Sequence, residues 1–139
     1  MRKMTFAAVA AVAVMLAWGH AQAADTYKGT LSGGAEVPPV QSKGSGAASV
    51  NFDPASKQVS YNVTYTGLGG PATAAHIHCG AAAGANAGVA VKFDKADSPI
   101  TGSATLTDAQ VADLTSGKCY VNVHTDANKG GEIRAQLAK

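Results

Sequence analysis

The chain has 139 residues, 46% hydrophobic and 14% charged, with two cysteines and a formal net charge of +2. Its first 23 residues read as a removable leader holding two of the 11 basic residues and none of the 9 acidic ones, so 9 − 9 leaves the remaining 116 (139 − 23) close to neutral. A neutral chain with no basic cluster argues against nucleic acid or an anionic membrane surface as a partner.

In chain order, Arg2 and Lys3 open the leader, an Ala- and Val-rich stretch runs from Phe6 to Trp18, and Ala21-Gln22-Ala23 supplies the small-residue cleavage pattern. The apolar stretch is too short to span a membrane, which takes about 20 residues, and no second candidate follows. Residues 24–139 are therefore expected as one compact, exported domain, periplasmic or secreted, with no membrane insertion once the leader is removed. His20 leaves with the leader, so three histidines remain.

Short runs broken by Gly, Pro, Asn and Asp predict eight strands: Tyr27–Leu31, Gly46–Phe52, Gln58–Tyr65, Thr73–Cys79, Val89–Phe93, Ile100–Leu106, Cys119–Thr125 and Glu132–Leu137. Alternation is cleanest in Val59, Tyr61, Val63 and Tyr65 set against Ser60, Asn62 and Thr64. Asp53-Pro54-Ala55-Ser56 reads as a hairpin turn, and Glu36-Val37-Pro38-Pro39-Val40 as a rigid extended connection, because proline has no N–H for a ladder. Gly80–Gly88, rich in Ala and Gly, reads as a flexible loop. One short helix is predicted after Thr107, whose hydroxyl and the Gln110 side chain form a capping box, with Gly117 at the C-terminal cap. The pattern predicts an all-β fold, an antiparallel Greek-key sandwich or barrel with one short helix.

The chemistry-bearing residues lie on two of these strands. Side chains two apart on a strand share a face, so His76 and His78 project together, and His124 of a neighbouring strand can complete a three-nitrogen metal site. Cys79 and Cys119 have the opposite parity to the histidines of their own strands. One register thus places a Cys79–Cys119 disulfide with Ile77, Val121 and Val123 on the core side and all three imidazoles on the other. Two cysteines in an exported chain are expected to pair. Imidazole suits copper, zinc, nickel and iron; a thiolate-free site in an exported protein favours copper, with zinc as the alternative. Asn122 and Asp126 are candidate partners behind the imidazoles, although an exposed turn before Asn128 and Gly130 is the favoured place for Asp126. For Glu36, Glu132 and Arg134 the default is structural: a Glu132–Arg134 ion pair, or Arg134 bonding loop carbonyls. Tyr61, Tyr65 and Tyr120 read as sheet aromatics. No serine-nucleophile elbow, phosphate loop or dinucleotide fingerprint is present.

Four ordered motifs, Glu-Val-Pro-Pro-Val, Ala-Ala-His-Ile-His-Cys-Gly, Gly-Lys-Cys-Tyr-Val-Asn-Val-His-Thr and Gly-Gly-Glu-Ile-Arg-Ala-Gln-Leu, resemble a bacterial CHRD (chordin-type) domain from about Tyr27 to Leu137. The resemblance implies one exported β-sandwich, immunoglobulin-like or copper–zinc-superoxide-dismutase-like, with no settled activity. The His-x-His pair with a third histidine is also similar to the copper side of those dismutases. That site uses four histidines and a separate zinc cluster, however, and neither is present here. The expectation is therefore a metal-binding protein for storage, buffering or delivery, its protein partner unspecified. The alternatives are a structural or interaction module with incidental histidines, and a dismutase-like or zinc-hydratase-like metalloenzyme.

Overall fold

A computed structural model describes residues 22–139, so the predicted leader up to Ala21 lies outside the described residues. Eight strands follow: β1 Asp25–Ser32, β2 Ser45–Asp53, β3 Gln58–Thr66, β4 Ala72–Cys79, β5 Val89–Lys92, β6 Ile100–Thr105, β7 Cys119–Thr125 and β8 Ile133–Gln136. All pair antiparallel in one sheet of order β5-β4-β7-β8-β1-β2-β3-β6, with the crossovers expected of the Greek-key class. The sheet rolls into a nearly closed barrel. Tyr61 of β3 stacks on Phe93 beyond β5 at 4.1 Å, which brings the two ends of the strand order together.

Each predicted strand is present, with ends displaced by a residue or two. At β8 the ladder outruns the strand itself: Glu132 N–H donates to the Val123 carbonyl and Leu137 N–H to that of Cys119. The turn after β2 is held by Asp53, whose carboxylate accepts from the Ala55 N–H and the Ser56 hydroxyl. Helix α1, Asp108–Thr115, carries the predicted capping box: Thr107 Oγ1 accepts from Gln110 N–H, and the Gln110 side chain accepts from Thr107 N–H. Gly117 ends it at φ +74°, the left-handed region that glycine enters without a Cβ clash.

The barrel interior is apolar and drawn from every strand, including Tyr27, Leu31, Val50, Phe52, Val59, Val63, Ile77, Val91, Ile100, Val121, Val123 and Ile133. At the β4–β7 pairing Ile77 faces Val121 and Cys79 faces Cys119, and the two cysteines form a disulfide. Cys119 is wholly buried in the core cluster and Cys79 packs against it. The crosslink and the apolar residues thus occupy the inner face, which turns His76 and His78 of β4 and the even-numbered side chains of β7 outward.

One loop differs from its sequence reading. Gly80–Gly88 reads as flexible, but hydrogen bonds pin it along its length. Gly80 and Ala81 N–H donate to the Lys118 carbonyl, Asn86 Nδ2 to that of Val37, and Ala87 N–H to the Tyr120 hydroxyl. In return the Ala81 and Ala85 carbonyls accept from Gln136 and Arg134. Methyl side chains at Ala and none at Gly let the loop lie flat on the outer face of β7 and β8. The composition that reads as mobility here permits close approach.

Candidate metal centre

The outer face of β4, β7 and β8 collects a set of polar side chains. Register places His76 opposite Asn122 and His78 opposite Tyr120, with Arg134 and Gln136 of β8 next to Asn122 and Tyr120 on the far side. His124 faces Ala74 one pair further along. Elsewhere such a face would be solvated. Here His78, Asn122 and Arg134 are buried and His76 and His124 half-buried, because the Gly80–Gly88 loop, the Gly33–Val40 connection and the Asp126–Gly131 turn lie around them.

The structure brings His76, His78 and His124 together, one ring nitrogen of each within 4.8 Å of the others. His76 Nδ1 and His124 Nε2 are 3.1 Å apart. A metal holding nitrogens at about 2.0–2.1 Å spaces them roughly 3.3–3.6 Å apart, so the closest pair is near that spacing and the widest needs a modest ring rotation.

The outer nitrogens of two rings settle their tautomers. His78 Nδ1 lies 2.9 Å from the Ala87 carbonyl oxygen, and His124 Nδ1 lies 2.8 Å from that of Lys129. A carbonyl only accepts, so each Nδ1 carries the proton and, in the neutral ring, each Nε2 presents a lone pair. Both Nε2 atoms point inward, to the same Asn122 oxygen Oδ1, at 3.1 and 3.0 Å. His76 Nδ1–H can donate to His124 Nε2 in the metal-free state. Metal-ligating histidines hold their second ring nitrogen as the Ala87 and Lys129 carbonyls hold Nδ1 of His78 and His124.

Electrostatics keep the rings available. Burial first, then the neighbouring His124 and His78 rings and Lys92, lower the pKa of His76 to about 4. Burial is also the main reason that His78 is harder to protonate than usual, against the opposing pull of its bonds to Ala87 and Asn122. Neutral imidazole is the ligating form. Both rings therefore stay competent well into mildly acidic solution.

A three-layer stack fixes the His78 ring plane. Tyr120 lies parallel to His78, with centroids 4.8 Å apart and planes 4° apart, and the Arg134 guanidinium carbon is 3.4 Å from the Tyr120 ring centroid on the other side. Arg134, 1% exposed, bonds the Asn86 side chain, the Ala85 carbonyl and Gln136. Of the two structural readings of this residue, bonding to a loop carbonyl is the one observed. Glu132 makes no ion pair with Arg134 among the described residues; its carboxylate instead accepts from Ser42, Gly69 N–H and Thr125. Burial pushes the Glu132 carboxyl up, but those donors together hold it below its ordinary value.

Asp126 does not reach the imidazoles. It is exposed in the turn after β7, and among the described residues no hydrogen bond joins it to a histidine. The Ala87 and Lys129 carbonyls take that place. Glu36 is the residue whose position the sequence does not disclose. Its carboxyl is 5% exposed, and its Oε1 has no hydrogen-bond partner. Burial raises its pKa to about 7, with Arg134 and the Asn122 amide pulling the other way. Gly131, at φ +123°, lies against it, and a Cβ there would run into the Glu36 carboxylate and Asn122 Nδ2. Only the proline-flanked motif around Glu36 hints at this at the level of sequence.

The family model described as the CHRD domain matches residues 27–137. The chain belongs to the CHRD-domain family. No curated protein and no solved structure matches it. In this CHRD domain the match runs from the middle of β1 to just past β8, so it encloses the three histidines, Asn122, Glu36 and both cysteines. Among the described residues no helix is long and apolar enough to cross a membrane.

Proposed function

We propose that this CHRD domain is an exported protein that binds one transition-metal ion, copper in preference to zinc, through His76, His78 and His124. Its role in this reading is to store, buffer or hand on the ion, with no reaction catalysed on it. One observation carries the reading. The three rings each offer a nitrogen within 4.8 Å of the others, a backbone carbonyl fixes the outer Nδ1 of His78 and of His124, and His124 Nε2 lies 3.1 Å from His76 Nδ1. Copper is favoured because the ligands are imidazoles, both cysteines are committed to the disulfide, and Cu²⁺ heads the divalent affinity series. Export is supported by the leader-like residues 1–23 and by the disulfide, a bond of oxidising compartments. The partner that supplies or receives the ion is left open.

The test is metal content after dialysis against copper or zinc. The parent should hold close to one equivalent, and a variant combining His76→Ala, His78→Ala and His124→Ala should hold almost none. Equal retention by the two proteins would sink the reading.

A further inference from the structure

Asn122 is one of the most deeply buried polar residues of the domain, 2% exposed, and its side chain is caught between two unlike neighbourhoods. Its Nδ2 faces acceptors. It donates to the Gly130 carbonyl at 3.4 Å and lies beside the Glu36 carboxylate, both of them against Gly131. This leaves Oδ1 on the histidine side, 3.1 Å from His78 Nε2 and 3.0 Å from His124 Nε2. Those two nitrogens present lone pairs, since the Ala87 and Lys129 carbonyls hold the ring protons at the other edge. Three acceptors therefore converge in a partly covered site, and the one donor beside them, His76 Nδ1–H, can serve only His124 Nε2. Such a grouping is unfavourable unless a cation occupies the space they share.

Resting on the metal-binding reading, we infer that Asn122 Oδ1 is a fourth ligand of the ion, making a three-nitrogen, one-oxygen set, and that Glu36 is the positioning residue that keeps this oxygen turned inward. The oxygen lies at 3.0–3.1 Å from two of the nitrogens, close to the edge of a four-coordinate polyhedron, so it needs no change of strand register to bind. The Gly130 carbonyl accepts, and so does Glu36 when ionised, so a turned carboxamide would then set oxygen against oxygen on that side. Gly131 is required for the arrangement, because any side chain there would displace Glu36 and Asn122 together.

The experiment compares the parent, Asn122→Ala, the triple histidine variant and a double variant carrying Glu36→Gln with Asn122→Asp. That double variant keeps an amide beside a carboxylate while exchanging which residue carries which. Copper is titrated into each metal-free protein, and zinc-loaded parent is crystallised. Asn122→Ala should bind roughly 10- to 100-fold more weakly than the parent, the scale expected when a group supporting a metal site is lost. The double variant should bind at least as tightly as the parent. The zinc–Oδ1 distance should be about 2.0–2.2 Å. A folded Asn122→Ala with parental affinity, or a zinc-loaded structure with the Asn122 nitrogen facing the rings, overturns the inference and leaves the histidine site standing if the triple variant alone loses the ion. Parent that takes up no metal overturns both. Should Asn122→Ala fail to fold, the zinc-loaded parent decides by itself.

Discussion

The two halves of the sheet use the same strand periodicity to different ends. In β3 the burial alternates strictly over Val59, Tyr61 and Val63 against exposed Ser60, Asn62 and Thr64, one face in the core and one in water. In β7 six of seven residues are buried, so Asn122, the counterpart of Asn62 on an outer face, lies under loops. The β3 half is held by apolar burial, the ordinary arrangement for an antiparallel sheet. The β7 half gives one face to polar groups that burial alone does not favour, and this half carries the disulfide. A buried polar face on an otherwise ordinary sheet must be held by hydrogen bonds and by covalent closure. It is there that a binding site is worth seeking.

The largest test of this contrast removes the crosslink. Cys79→Ala with Cys119→Ala reopens a 40-residue separation, which the chain-entropy account makes worth about 4 kcal/mol of stability. Urea unfolding measures the total. Native-state hydrogen exchange locates it: amides of β4 and β7 should lose protection well before those of β2 and β3. Uniform loss across both halves would remove the distinction drawn between them.

Metal addresses the same half from the other side. At a free concentration 100 times Kd, an ion that binds only the folded state stabilises it by about 2.7 kcal/mol. For a domain of this size that raises Tm by roughly 10 °C. Thermal unfolding of the parent with copper or zinc should show the rise, and the triple histidine variant should show none. A comparable rise in both would place the ion somewhere other than the three rings.

Much of this was legible in the sequence because the signals are local. Short runs between Gly, Pro, Asn and Asp mark all eight strands, Thr107 and Gln110 mark the helix start, and the parity of His76, His78 and His124 against Cys79 and Cys119 separates the two faces. What was not legible depends on contacts distant along the chain. Cys-Tyr-Val-Asn-Val-His-Thr reads as a half-solvated strand, and nothing within it announces that the Gly33–Val40 and Gly80–Gly88 segments lie over its outer face. The Arg134–Tyr120–His78 stack and the seat of Glu36 beside Asn122 follow from that covering. Asp126, close in sequence to His124, keeps to the exposed turn, and main-chain carbonyls, which carry no sequence signature at all, hold the outer ring nitrogens.

The last test concerns Glu36, and its sign distinguishes burial from mere proximity. Folding raises this carboxyl from 4.5 to about 7, so the folded state binds its proton more tightly than the unfolded chain. The stability it contributes is complete below pH 4.5 and is lost as pH rises through 7. His76 runs the other way. Its pKa falls from 6.5 to about 4, so its contribution is present above pH 6.5 and is lost as pH falls toward 4. Between pH 4.5 and 6.5 the two oppose each other, and the metal-free parent should show a shallow stability profile there. Glu36→Gln removes one of them. The urea midpoint of this variant, relative to the parent at the same pH, should climb from pH 5 and level off above pH 7, because over that range only the parent loses a proton from a carboxyl with an orphaned oxygen. Groups common to both proteins cancel in that difference. A constant offset across the range would mean that Glu36 titrates as an ordinary surface acid, and the covered polar face would lose the member that most sharply separates it from the open face of β3.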